Sequence, residues 1–400
     1  MRELNPITRV ELSEKNKTLR WIAAIALFVI GAVGITVGIM GLLNQETGWQ
    51  KVQISTQERS CSENFILQYN FAGSPADATA VNSKLQQTYG AACVKAYQLF
   101  TPDESIDGVN NVYYLNHHIN EVVTVDPVLY AAFQKMDGTP WLYMGPAYAY
   151  YYSVIYNAED VMVPELDPDT SAEARAFVEK IAFFAGDRNA VNLELLGNNQ
   201  VKLHVSQEYQ AFAKEEEIET FIDFAYLTNA FTIDYLAQEL IDQNLTDGYI
   251  VSADGYTRNL CSGIRFNFNI FDRIENTIYP AGVMVYEGPV SIVYLKDYPT
   301  ADSDSNYRGN GNSFIHTFAD PADGMHRTSV ENLVSYSYTD GCADVALKML
   351  PGFVGEQFAL PEDVFSVWCQ DDTIYYNDGE ITIAELLNSQ EIAYRAVLTQ

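Results

Sequence analysis

The chain has 400 residues, with 53 acidic against 23 basic side chains and a formal net charge of −30. A field of that sign repels polyanions and excludes nucleic-acid binding. The hydrophobic share of 48%, with 27 Tyr and 20 Phe, excludes a disordered chain and permits a large core.

Residues 21–43 (WIAAIALFVIGAVGITVGIMGLL) are an uncharged run of 23 residues. At about 1.5 Å per residue such a run crosses a hydrocarbon layer roughly 30 Å thick. The preceding tail holds Arg2, Arg9, Lys15, Lys17 and Arg20 against Glu3, Glu11 and Glu14, which predicts a cytoplasmic N-terminus and an exported body. A cleaved signal peptide fits less well, because its apolar stretch spans only about 7–15 residues and a small-x-small site should follow. The expected organisation is a cytoplasmic tail (1–20), a transmembrane helix (21–43), a stalk (44–60) and an extracytoplasmic domain (61–400). Localisation is then the cell membrane, single-pass, with the bulk of the chain outside. Without the tail, 18 basic and 50 acidic residues remain, a net −32. Disulfides are allowed outside the membrane, and Cys61–Cys93 and Cys342–Cys369 are the pairs closest in sequence. No CxxC or Cys/His spacing argues for structural zinc.

In chain order, 64–72 reads as a strand and 76–93 as a helix with Val81, Leu85 and Tyr89 on one face. Residues 111–135 read as strand, turn, strand and then a helix opened by Asp126-Pro127. His117 and His118 are adjacent and point apart, so they read as turn-side imidazoles rather than ligands. The aromatic run 139–156 reads as core in preference to a ligand-stacking wall. DPDTSAE (167–173) comes within one residue of a flavin-attachment sequence, but Thr170 and Glu173 also make a capping box, which is the reading taken. A hairpin is expected over 191–205, and Glu215–Glu217 form a solvated face. Further on, 261–271 alternates as a half-buried strand, and 283–295 reads as a hairpin turning at Glu287-Gly288. Residues 302–306 open like a calcium loop, yet Tyr307 stands where glycine should turn the chain. Residues 364–400 read as strand, a turn at 377–379, strand and short helix.

The segment 221–255 resembles the central signature of the ApbE family, the FAD:protein FMN transferases. Ile222, Asp223, Asp234 and Gly255 match that signature. Ala225 and Tyr226 stand at its paired glycines, Asn229 at its lysine and Asp254 at the first glycine of the later pair. FIHTFADPADG (314–324) resembles the family's Tyr-His-His-Ile-x-Asp-Pro-x-Thr-Gly through His316, Asp320, Pro321 and Gly324. Tyr307 matches the tyrosine of its Ser-Gly-x-Tyr, and 113–135 resembles its Ser-Arg-Leu-Asn segment and following helix. CADVALKML (342–350) resembles its Ala-Asp-Ala-Leu-Ser-Thr-Ala helix, with Lys348 where that helix has a metal-ligand threonine. Partial matches thus run in order over roughly 64–350.

The resemblance implies an α+β fold of mixed sheets with packed helices. It implies FAD in a cleft, with Asp223, Thr228, Asn229, Gly255, Tyr307 and Lys348 at cofactor-binding positions. His316 and Asp344 fall at catalytic positions, and Asp344 at the metal position. The implied activity moves FMN from FAD to a Ser or Thr of an exported acceptor protein. Magnesium is doubtful on the residues, because an ammonium cannot ligate a cation and Lys348 would pair with Asp344 instead. Lost glycines also crowd the approach of backbone amides to a diphosphate. Two alternatives therefore stay open: a non-catalytic flavin- or nucleotide-binding relative, and a cell-surface interaction domain.

Overall fold

The computed structural model describes residues 47–157, 164–275, 277–300, 304, 306–311, 313–389 and 392–399. The expected membrane span at 21–43 lies outside them, as does most of the expected calcium loop. Among the described residues no helix is long and apolar enough to cross a membrane. The chain divides into two compact units, Met1–Gln50 with Asn70–Ser83, and Lys51–Tyr69 with Lys84–Gln400. Of the smaller unit, the described residues carry most of strand β1 (Gly48–Lys51) and the start of helix α1 (Pro75–Phe100).

The larger unit is built on one long sheet. Its strands run in the order β2 (Phe65–Phe71), β6 (Gly248–Ser252), β7 (Tyr256–Asn259), β10 (Val290–Lys296), β13 (Asn332–Ser337), β14 (Phe365–Gln370), β15 (Thr373–Tyr376) and β17 (Arg395–Leu398). Pairing is antiparallel except for β15 with β17. Every residue of β10 and β13 is buried, as expected for central strands covered on both faces. Helices α7 (Thr228–Asp242) and α8 (Cys342–Phe353) pack on this central region. A second sheet, β8 (Arg265–Ile274), β9 (Thr277–Glu287) and β16 (Thr382–Ala384), supplies Ile270, Ala281 and Met284 to a core shared with Ile292, Tyr294 and Val334. The fold is α+β with mixed sheets, as the sequence implies.

A third sheet of β3 (Val122–Thr124), β5 (Gln200–Val205) and β4 (Val191–Gly197) contains the expected 191–205 hairpin. Helix α3 (Pro127–Met136) opens where expected, with Asp126 accepting from Val128 N–H at 2.8 Å and proline in the first turn.

Several expectations are corrected. Residues 112–117 form a short helix, α2, rather than a strand. Asn111 caps it by accepting from Tyr114 N–H at 2.9 Å. Along it Tyr113 stacks on His117 and Tyr114 on His118, at centroid distances of 3.9 and 3.7 Å. These are contacts at helical i,i+4 spacing, which a strand cannot make. The aromatic run becomes helix α4 (Gly145–Ile155), with Tyr148 and Tyr151 in the core. Helix α5 (Ala172–Ala185) is capped by Ser171, which accepts from Ala174 N–H at 3.2 Å, so Thr170 is not the cap.

No hairpin forms over 283–295, because β9 pairs with β8 and β16 while β10 pairs with β7 and β13. The 364–376 stretch folds back at Asp371-Asp372, both at positive φ, and the expected C-terminal helix is replaced by β17. All five cysteines are free and buried. Cys342 Sγ donates to the Thr257 carbonyl at 3.3 Å and Cys369 Sγ faces the Phe271 carbonyl at 3.8 Å, so these two are not bridged. Nor are Cys61 and Cys93, although Cys61 Sγ donates to the Cys93 carbonyl at 3.3 Å.

Candidate functional site: a two-lobed cleft

The signature segment is shaped by its own backbone. Phe221 N–H and Ile222 N–H both donate to Asn116 Oδ1, at 2.9 and 3.0 Å. Asp223 then folds over the next turn, its Oδ1 accepting from Ala225 N–H at 2.8 Å. Ala225 keeps φ +47°, a left-handed conformation in the place where the resembled signature has glycine. A 3-10 turn over Ala225–Leu227 leads directly into α7, which presents Thr228 and Asn229.

Two adjoining cavities open beside this segment. One, of about 340 Å³, is lined by Tyr152, Tyr226, Asn229, Tyr307, His316 and Phe318 among others. The other, of about 580 Å³, is lined by residues including Phe100, Asp103, Asp223, Thr228 and Asn229. Asn64, Tyr152, Ala225 and Asn229 line both, so the cavities are two lobes of one cleft. Each volume falls in the range of about 300–1,000 Å³ usual for small-molecule sites.

In the smaller lobe, Asn229 Nδ2 donates to Asp254 Oδ2 at 3.0 Å, and Ser252 Oγ donates to Asp254 Oδ1. Burial pushes the Asp254 carboxyl above its usual range. Tyr307 donates its hydroxyl to the Lys296 carbonyl at 2.9 Å, and the Lys296 ammonium is held by Asp304 at 2.8 Å. His316 is 4% exposed. Its Nδ1 accepts from Phe318 N–H at 3.3 Å, and desolvation drives its pKa well below the ordinary value, so the imidazole is neutral. Gly255 does not line either lobe. It sits at φ +103°, where a Cβ would collide with the Tyr294 carbonyl, so its glycine serves the fold.

In the larger lobe, burial pushes Asp223 up to about 6. No lysine or arginine is among the residues lining either lobe. The cleft therefore offers aromatic faces, a neutral imidazole, amide and hydroxyl groups, and two carboxyls, Asp223 and Asp254, whose pKa burial raises. That surface suits a planar heteroaromatic ligand better than a bare diphosphate.

Asp344 and Lys348 lie outside the residues lining the cleft. Both are in α8, whose first turn is capped by Asp234 accepting from Cys342 N–H at 2.8 Å and Ala343 N–H at 2.9 Å. The expected Asp344–Lys348 pair does not form. Asp344 is bound by Lys135 at 2.7 Å, and Lys348 by Asp340 at 2.7 Å. A magnesium ion needs about six oxygens at roughly 2.0–2.1 Å. Here the one carboxylate is neutralised by an ammonium and the position one helical turn on carries another. The residues do not fit the ion.

Of the expected site residues, the structure thus brings Asp223, Thr228, Asn229, Tyr307 and His316 to one cleft and leaves Gly255, Asp344 and Lys348 outside it. Tyr152, Phe318 and Asp254 also line it: Tyr152 comes from the aromatic run read as core, Asp254 stands where the resembled signature has a glycine, and no periodicity or spacing singles out Phe318.

No known family profile and no curated protein matches the sequence. Solved structures do. The flavin transferase ApbE from Vibrio cholerae superposes with a TM-score of 0.50 at 13% identity, over 80% of this chain and 93% of that one. The fold is ApbE-like. A histidine-to-glycine mutant of the same transferase gives 0.48 at 12% identity, over 80% and 94% of the two chains. The ApbE protein from Thermotoga maritima gives 0.48 at 14% identity, over 84% and 97%. At these identities the likeness speaks for the ApbE-like fold alone.

Proposed function

We propose that this chain is a membrane-anchored, extracytoplasmic flavin-binding protein on an ApbE-like fold. The observation that carries the reading is the convergence of Asn229, Tyr307 and His316 on one aromatic-walled cleft, next to a signature segment that keeps a glycine-type turn at Ala225. Tyr152, Tyr226 and Phe318 would stack on the isoalloxazine ring, while Asn229 and the neutral His316 would hydrogen-bond its edge. FAD is the expected ligand, and anchorage through residues 21–43 would place the cleft outside the cell. This chain's own residues bind and orient; no transfer step is assigned to them.

Transfer of FMN to a Ser or Thr of an exported partner is the second reading. It is favoured by the exposure of the Lys135–Asp344 pair, whose side chains are 40% and 35% exposed. A pair that open to water is worth about 0–1 kcal/mol and is readily displaced.

The test is to purify the full-length chain and look for flavin absorbance, then titrate FAD against the chain and a Tyr152→Ala, Phe318→Ala variant. Micromolar binding lost in the variant supports the proposal. Equal binding by both, or none by either, sinks it. Covalent FMN on an added acceptor protein would establish the second reading.

A further inference from the structure

A second group of side chains lies apart from the residues that line the cleft. Asp167, Asp169 and His326 each offer one ligand atom, and the three atoms lie within 4.8 Å of one another. The stretch DPDTSAE supplies both carboxylates, so only part of it is absorbed by capping α5. Asp167 is 3% exposed and held in place. Its Oδ1 accepts from Asp169 N–H at 2.9 Å and its Oδ2 from Asn310 Nδ2 at 3.0 Å. That leaves lone pairs on both oxygens.

The decisive feature is His326. Its side chain is only 8% exposed, and neither ring nitrogen has a hydrogen-bond partner. Leaving such a group buried and without a hydrogen bond is costly. The ring is wedged edge-on between Tyr151 and His316, at centroid distances of 5.2 and 5.1 Å. Its Nε2 points toward Asp169, 3.9 Å from Oδ2. A buried imidazole with no hydrogen-bond partner, grouped with two carboxylates, has the composition of a metal-ligand set.

We propose that Asp167, Asp169 and His326 bind a divalent transition-metal ion of the zinc class. One imidazole with two carboxylates is a borderline donor set, which selects such an ion over magnesium or calcium. With bonds of about 2.0–2.2 Å, tetrahedral ligand atoms sit roughly 3.4 Å apart, so the 3.9 Å His326–Asp169 separation closes by about half an ångström and the other pairs, all within 4.8 Å, by up to about 1.4 Å. The Asp169 side chain is 57% exposed, which leaves a coordination position open to water. Asn310 orients the Asp167 carboxylate from behind, as outer partners of metal ligands commonly do. The ion would tie the loop before α5 to the segment carrying His326, and through the ring contact would set His316 in the cleft wall.

The experiment uses the full-length chain stripped with chelator, reloaded with zinc or cobalt chloride and desalted. One equivalent per chain is expected, with cobalt giving visible d–d absorption of a low-coordinate N/O site. Asp169→Asn and His326→Asn should each weaken binding by more than about tenfold, while Asp344→Asn leaves it unchanged. Asp169 is largely exposed, so its variant keeps the fold, checked by an unchanged melting temperature without metal. No retained metal in the wild type overturns the proposal. So does a full equivalent held by either ligand variant, or loss of the ion in Asp344→Asn.

Discussion

The side chain of Asn116 and the backbone of Ile222 form a reciprocal amide pair: Asn116 Oδ1 accepts from Ile222 N–H at 3.0 Å and Nδ2 donates to the Ile222 carbonyl at 2.9 Å. Both residues are buried, Ile222 completely. The pair joins the end of α2 to the segment that shapes the cleft, across 106 positions of sequence. Asn116→Ala would leave buried Phe221 and Ile222 backbone groups unsatisfied, at about 1–3 kcal/mol for each lost partner. Three such groups lose their partner, so the expected result is a urea midpoint lowered by an amount equivalent to at least about 3 kcal/mol. An unchanged midpoint would show that the clasp contributes nothing.

Ala225 holds a left-handed backbone at φ +47°. That conformation costs an L-residue about 1–2 kcal/mol and glycine almost nothing. Part of the relief is lost because glycine also gains freedom in the unfolded chain. Ala225→Gly is therefore expected to stabilise by roughly 0.5–1 kcal/mol, read as a higher melting temperature, and Ala225→Val to destabilise by more. A lower melting temperature for the glycine variant would contradict the strain.

Stability should fall as pH rises through the region where the buried carboxyls titrate. Burial raises Asp223 to about 6 and Asp297 to about 6, both above the ordinary aspartate range. An acid with a raised folded-state pKa binds more protons folded than unfolded, so acid favours the native state. Its unfavourable contribution develops between about pH 4 and pH 6 and is complete above. Asp223→Asn should flatten the profile and raise stability at pH 7 by about 1–3 kcal/mol. Denaturant melts at pH 5 and pH 8, for wild type and variant, read this directly; a variant with the wild-type slope would refute the assignment.

Magnesium affinity at Asp344 should be recoverable. Lys135 neutralises that carboxylate and Lys348 occupies the next turn of the helix. Replacing both, as Lys135→Ala with Lys348→Thr, frees one oxygen and adds another. Calorimetry is expected to show millimolar magnesium binding in the double variant and none at this site in the wild type. Binding of equal strength in both would mean the ammonium groups do not matter.

Local chemistry carried much of this fold into view. Asp126-Pro127 announced α3, and alternation with an Asn-Asn turn announced the 191–205 hairpin, because cap and turn preferences act over a few residues. Glu287-Gly288 misled, since a turn between two apolar strands looks the same whether the strands pair or part. What separates β9 from β10 is burial of every β10 side chain, a property of the assembled layers. Asp344 misled for a related reason. Its true partner Lys135 is 209 residues away, whereas helical spacing brings only Lys348 to mind. His326 passed unnoticed because a lone histidine has no spacing to mark it, and only the absence of any bond to its ring makes it conspicuous.

The parting of β9 and β10 carries a consequence for how the chain assembles. Gly288, at φ +85°, lets the polypeptide leave one layer and enter the other within two residues. The rungs that join β8 to β9 are all close in sequence, so this hairpin can zip within microseconds of collapse, before β16 adds to it. Strand β10 must wait for β13, some forty positions downstream, and distant pairings are the slow ones. Pulse-labelled amide exchange during refolding should therefore protect the β8 amides that donate into β9 ahead of Val293 and Leu295, with Gly288 marking the boundary between an early hairpin and a late strand.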